Sequence, residues 1–215
     1  MKVKNIMQTR YKFNFPKMFL FMNDLGWLNT NEHNNYLWIY DMEWISCEKI
    51  KCYNYEDEAD NIVPFAYTSG GDKWAWCLMD DLSLPIVFCP QDDDEAIFYA
   101  KDLQSAIFRQ ILQFASENNF YLHESDKKSW QIDETTAKKY FIEWKRRLEK
   151  WFDYQWIKVL DSLIDSKLKY CQVNFQNHID KYHAFLSQEE VKNLIDKYIK
   201  FDLLDESVIW TKLEE

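Results

Sequence analysis

Two periodicities divide the chain. From about residue 36 to residue 101, apolar and polar positions alternate in short runs; from Asp102 onward, apolar residues recur every three or four positions. "YLWIYDMEWIS" (36–46) sets Tyr36, Trp38, Tyr40 and Met42 against Leu37, Ile39 and Asp41, which predicts a strand. "IVPFAYT" (62–68), "KWAWCLM" (73–79), "LPIVFCP" (84–90) and "EAIFYAK" (95–101) are further short aromatic or β-branched runs. Their spacing near ten residues predicts an antiparallel sheet built from hairpins.

The second period predicts helices. Leu103, Ile107, Ile111 and Phe114 form one stripe, with Ala106 and Ala115 beside it, ending near Asn118–Asn119. A second helical region follows "QIDETT", where Asp133 or Thr135 can cap. Its stripe runs through Phe141, Trp144, Leu148, Trp151 and Phe152 to Trp156, Val159, Leu160 and Leu163. A last helix opens at "SQEE", with Ser187 and Glu190 at capping-box spacing. With a short helix expected near Pro16, the fold class is α+β: a mainly antiparallel central sheet, flanking helices and a C-terminal helical extension. A polar cluster at 123–128 marks an expected boundary, giving a domain over 1–125 and an extension over 126–215.

Composition adds a core and removes several classes. The 215 residues are 47% hydrophobic and 18% aromatic, which disfavours a disordered chain. No apolar run reaches the roughly 18 residues of a membrane-spanning helix, and "MKVKNIMQTRYKF" is a poor secretion signal, so a cytoplasmic protein is expected. Five cysteines without a Cys-x-x-Cys pair read as reduced structural thiols.

Charge changes the picture more. The net charge is −10, yet residues 41–102 alone carry 15 acids against four lysines, while residues 135–158 carry seven basic residues against three acids. A surface this acidic repels nucleic acid and suits a cationic protein partner. The acids concentrate in "YEDEAD" (Glu56, Asp57, Glu58, Asp60) and "QDDDEA" (Asp92, Asp93, Asp94, Glu95), which read as loops between strands and hence as candidate partner-binding residues. Neither has the alternate ligand spacing and terminal Glu of an EF-hand, so no metal is expected.

"PFAYTSGGDKWAWCLM" (64–79) holds two of the three glycines, Gly70 and Gly71, followed by Asp72. A phosphate loop leads through Gly-Lys-Ser/Thr into a helix; here Gly71-Asp72-Lys73 leads into the strand pattern Trp74-Ala75-Trp76. A carboxylate would also repel phosphate. The stretch therefore reads as a tight reversal, with Gly70, Gly71, Asp72, Trp74 and Trp76 in structural roles and Asp72 bonding nearby amides. The aromatics read as core packing plus a partly exposed protein-binding face. No Gly-x-Ser-x-Gly or His-Glu-x-x-His motif occurs, and His178 and His183 stand five residues apart. A cysteine–histidine pair assembled by folding is the one catalytic arrangement left open, so no enzyme, catalytic residue or cofactor is expected.

This same stretch, with "LPIVFCP" after it and the helix "DLQSAIFRQILQFA" later, resembles the SUKH superfamily of bacterial immunity proteins and fungal cell-wall-synthesis regulators. The matching positions are Phe65, Ala66, Gly70, Gly71, Asp72, Trp74 and Trp76; upstream, Pro16, Phe19, Phe21, Asn23 and Gly26 resemble the family's early helix and turn. The resemblance covers roughly residues 14–120 and leaves out the helical tail. It implies a non-enzymatic immunity protein that binds and neutralises a cognate toxin. The acidic middle adds that the toxin is basic, for example a nuclease. The alternative is a regulatory adaptor for a cellular partner.

Overall fold

A computed structural model describes residues 14–28, 43–53, 55–175 and 178–212. The fold is α+β. In chain order the elements are α1 (Lys17–Asp24), β1 (Glu43–Trp44), α2 (Cys47–Lys51), β2 (Ile62–Tyr67), β3 (Lys73–Cys77), β4 (Ile86–Cys89), β5 (Glu95–Ala100), α3 (Leu103–Ser116), a 3-10 turn (Glu124–Asp126), α4 (Glu134–Leu148), α5 (Tyr154–Asp165), β6 (Lys169–Phe175), β7 (His178–Ala184), α6 (Gln188–Tyr198) and β8 (Ser207–Ile209). They fall into two compact units. Residues 1–106 and 201–215 form the first, and residues 107–200 form the second.

The first unit is built on a six-stranded sheet in the order β1-β2-β3-β4-β5-β8, antiparallel at every described pairing. Register assigns its faces. Trp74 and Trp76 point to one side of β3, and Trp76 packs on Phe65 (ring centroids 4.5 Å apart) and on Phe19 of α1 (4.8 Å). The other face collects Ile62, Ala75, Cys77, Val87, Ala96 and Phe98, closed by Trp210, with Met79, Phe201, Leu203 and Val208 packed against it. Helix α1 stops in a Schellman turn: Gly26 sits at φ +69°, its N–H meets the Asn23 carbonyl at 2.9 Å, and the Trp27 N–H meets that of Met22 at 2.9 Å. Beside it, the Asn23 side chain accepts from the Cys47 N–H at 3.0 Å and ties α1 to the start of α2.

The second unit continues α3 and adds α4, α5, α6 and the two-stranded β6–β7 sheet. Its core is aromatic: Phe114 lies 5.3 Å from Trp144 and 5.2 Å from Phe120, and Phe108 stacks on Trp156 at 4.7 Å. Asp133 caps α4 by accepting from Thr136 N–H at 2.7 Å, Asp153 caps α5, and Ser187 with Glu190 makes the expected capping box on α6. The basic residues of α4 are largely paired, Lys138 with Glu134, Lys145 with Asp161, and Arg146 and Arg147 with Glu143.

One expectation lies mostly outside the described residues and two meet a different structure. The strand expected over 36–46 lies mostly outside the described residues; β1 is its described end. The stretch 126–215 is not purely helical, because Lys169–Phe175 and His178–Ala184 form a hairpin. The division falls at residue 106 instead of 125, and residues 201–212 return to the first unit. There β8 pairs with β5 and Trp210 enters the core. The apolar face of the first sheet is completed only by that return.

Candidate functional site

Most of the expected site residues lie toward one end of the first sheet, where β2 turns into β3; Trp76, which pairs with Ile86, and Asp60, next to the Asn61 carbonyl that receives Leu78 N–H, lie toward the other. The turn is a hairpin. Thr68 N–H donates to the Asp72 carbonyl (2.9 Å) and Gly71 N–H to that of Thr68 (3.1 Å). Gly71 takes φ +93°, and a Cβ there would stand 2.2 Å from the Gln91 side-chain oxygen. Gly70 is different: its backbone is not left-handed, and a Cβ would meet Thr68 Oγ1 at an ordinary 3.5 Å. Asp72 bonds as expected. Its N–H donates to Thr68 Oγ1 (3.0 Å), and its Oδ2 meets that hydroxyl at 3.0 Å. Its Oδ1 also accepts from Gln91 N–H at 3.0 Å, which fixes the β4–β5 loop to the turn.

The same end gathers both acidic stretches around residues 210–212. Trp210 Nε1 donates to the Asp93 carbonyl (2.6 Å) and Trp210 N–H to that of Asp94 (3.0 Å). Thr211 Oγ1 donates to Asp94 Oδ1 (2.9 Å), and Asp93 Oδ1 caps the Glu95 N–H (3.0 Å). On the other side, Ala59 N–H donates to the Trp210 carbonyl (2.7 Å) and Lys212 N–H to that of Asp57 (2.8 Å). The Lys212 ammonium bonds the carbonyls of Tyr55 and Glu56. Glu56, Asp57 and Asp92 through Glu95 are exposed, and Asp60 is half-buried.

Glu58 departs from the expectation of a solvated loop. It is only 1% exposed, receives Lys73 Nζ at 2.6 Å and accepts from the Tyr53 hydroxyl at 2.7 Å. Lys73 Nζ also lies 5.0 Å above the Trp210 ring. Burial pushes the Glu58 carboxyl up, but the bonds from Lys73 and Tyr53 outweigh it and hold the group below its ordinary value. The Tyr53 hydroxyl is pushed far up, by burial first and then by its bonds to Tyr67 and Glu58. A long-range bridge between Glu58 and Thr211 turns this one acid of "YEDEAD" inward, so it is a core ion pair and no partner contact.

Trp74 and Trp76 are likewise interior, at 7% and 0% exposure, so the expected partly exposed aromatic face does not include them. For the catalytic alternative, three of the four buried cysteines are poor nucleophiles. Burial pushes the thiols of Cys47 and Cys77 up to about 11 and that of Cys89 higher, away from the thiolate form. Among the described residues, no group of three or more His, Cys, Asp or Glu could hold a metal ion, and no helix is long and apolar enough to cross a membrane.

Sequence reasoning missed Tyr53, Lys73, Trp210 and Lys212. Only Lys73 carried a signal, as the one basic residue between Lys51 and Lys101 in an acidic stretch. What the fold and this end of it define is an α+β protein that holds exposed carboxylates on a hydrogen-bonded frame. No family model, no curated protein and no solved structure matches the chain.

Proposed function

We propose that the protein is a cytosolic immunity protein of the SUKH type, which neutralises a cognate basic toxin such as a nuclease by covering its active site or substrate groove. The observation that carries this reading is the exposed set Glu56, Asp57, Asp92, Asp93, Asp94 and Glu95, held at one end of a rigid sheet by the Asp72 turn and by residues 210–212. Carboxylates fixed in this way raise the encounter rate with a basic partner more than they add to final affinity. The resemblance of the Gly70-Gly71-Asp72 turn and its flanking aromatics to the immunity family supplies the class. The protein needs no chemistry of its own for this task.

The test is co-expression with the product of a neighbouring gene that arrests growth when expressed alone. Growth restored by the full chain, together with a direct complex of the two purified proteins, supports the reading. Continued arrest despite soluble expression of the chain, or the absence of any growth-arresting neighbour, overturns it and favours a regulatory adaptor.

A further inference from the structure

The opposite end of the first sheet carries a groove of about 620 Å³. Two loops wall it: the β3–β4 connection (78–85) and residues 201–203 of the segment that leads into β8. Leu78, Met79, Phe201 and Leu203 form a half-buried apolar floor, and Asp80, Asp81 and Asp202 stand exposed along it with Lys101. This end is distinct from the Gly-Gly-Asp end, since Trp76 and Ile86 pair here while Lys73 and Cys89 pair there.

The two loops that supply the walls also carry, beside the lining and not in it, the two non-glycine residues with left-handed backbone among the described residues, Leu82 at φ +67° and Asp205 at φ +65°. Either Cβ crowds the following carbonyl there; aspartate's short polar side chain can offset that by local hydrogen bonding, and leucine's cannot. Nothing buried offsets that strain, since the Leu82 side chain is 80% exposed. The turn is nevertheless held firmly. Leu82 N–H donates to the Met79 carbonyl (3.0 Å), Met79 N–H to that of Ser83 (3.1 Å), and Asp81 Oδ1 accepts from both Ser83 N–H (2.9 Å) and Ser83 Oγ (2.6 Å). On the facing loop, Asp205 N–H donates to the Phe98 carbonyl at 2.9 Å. Strained backbone persists where its surroundings over-determine it, and such places are commonly ligand clamps.

Charge states what the clamp fits. Three carboxylates face one ammonium, and Asp80 and Asp202 have no hydrogen-bond or ion-pair partner among the described residues. An apolar floor edged by carboxylates matches a side chain with an apolar stem and a cationic tip, and the forked guanidinium can engage two carboxylates at once. We infer that this groove is a second protein-binding site, taking an arginine or lysine side chain from an extended segment of a partner while Leu82 inserts into an apolar patch beside it. This goes beyond the immunity reading. The groove lies away from Glu56–Asp57 and Asp92–Glu95 and does not require that the partner be a toxin.

The test is a nuclear magnetic resonance titration of the full-length, nitrogen-15-labelled chain with acetyl-Leu-Ala-Arg-Ala-Leu-amide, and with the same peptide carrying uncharged citrulline. Saturable shifts confined to 78–83, Lys101 and 201–205 are expected, with affinity lower by about tenfold for citrulline. Asp80→Asn/Asp202→Asn should weaken the arginine peptide about threefold and Lys101→Ala should strengthen it. Leu82→Gly should weaken binding while raising the unfolding temperature, a pair of effects that a merely structural loop would not show. Absence of saturable shifts, equal affinity for both peptides, or shifts centred on Glu56–Asp57 and Asp92–Glu95 would overturn the inference. Restored growth without peptide binding would sink the groove alone, and peptide binding without restored growth would sink only the immunity reading.

Discussion

Both ends of the first sheet carry an excess of carboxylates, larger at the Gly-Gly-Asp end, and use them differently. At the Gly-Gly-Asp end four carboxylates are woven into the structure while Glu56, Asp57, Asp92 and Glu95 stay exposed: Asp72 joins turn to loop, Asp93 and Asp94 hold their own strand and residue 211, and Glu58 is sealed against Lys73. At the groove end, Asp80 and Asp202 are bonded to nothing described, and only Asp81 serves its own turn. A carboxylate that closes a hydrogen bond within its own chain is partly spent on stability. One left open beside an apolar floor remains available to a visitor. Counting acids along a sequence cannot separate these cases, because the difference lies in register and in where a distant segment returns.

The largest effect should come from removing what both ends share. Deleting residues 201–212 takes away Trp210, β8 and one wall of the groove, uncovering the second apolar face of the sheet. Trp210→Ala alone should cost about 3–5 kcal/mol, and the deletion should abolish cooperative unfolding of the first unit by near-ultraviolet circular dichroism. A deletion variant that melts like wild type would end the account of both ends.

Next comes the sealed pair. Lys73→Met strands a buried carboxylate and should destabilise the protein by about 3 kcal/mol, about 6–12 °C in melting temperature for a chain of this size. Glu58→Leu/Lys73→Met should recover most of that loss. Acidification gives a second reading. Because Glu58 is held below its ordinary 4.5, the folded state binds its proton less readily than the unfolded chain does. The stabilisation is complete above about pH 4.5 and fades as pH falls through the lower folded value. Glu58→Gln should therefore lose less stability than wild type between about pH 5 and pH 3 in urea titrations; parallel curves would count against the pair.

The turn separates its two glycines. Gly71→Val meets both a left-handed backbone and the Gln91 side chain, and should cost about 1–3 kcal/mol. Gly70→Val should stay within about 0.5 kcal/mol. Equal melting temperatures for the two variants would show that the turn relaxes.

The smallest change in stability belongs to the exposed acids. Asp92→Lys and Glu56→Lys/Asp57→Lys should alter it by no more than about 0.5 kcal/mol, yet slow association with a basic partner at low salt. That difference should shrink at physiological salt, where screening acts over about 8 Å. Association as fast as wild type at low salt would remove the Gly-Gly-Asp end as a binding surface. Buried Glu58 is unsuited to this test, since its replacement would act through folding.

Much of the fold was legible because local signals suffice for it. The runs at 62–68, 73–79, 84–90 and 95–101 are bounded by Gly, Pro and Asp and become β2 to β5, and the caps Asp133 and Ser187 act where the pattern put them. Three features were not, two of them because they depend on distance. Strand β8 is three residues long with a single half-buried valine, too short to stand out from helical neighbours. The β6–β7 hairpin is local, but polar residues fall on both of its alternating sets, Lys169 with Cys171 and Val173 and Asp180 with Tyr182 and Ala184, which blurs the strand pattern. Glu58 looks like its neighbours in "YEDEAD" until Thr211 pairs beside it. The turn residues of the site could therefore be read directly. The groove could not, because residues 78–83 and 201–203 stand more than a hundred positions apart.

The return of residues 201–212 to the first sheet also sets a timetable for synthesis. The ribosome must make all of residues 107–200 before the strand that completes the first unit exists. At about 5–20 residues per second this is an interval of roughly 5–20 s. Throughout it β5 has an open edge, and Ile62, Val87, Ala96 and Phe98 lack the Trp210 cover. An unpaired edge beside bare apolar surface invites other nascent chains. The second unit is continuous and can fold while it waits, so the first-made part of the protein is the last to be finished.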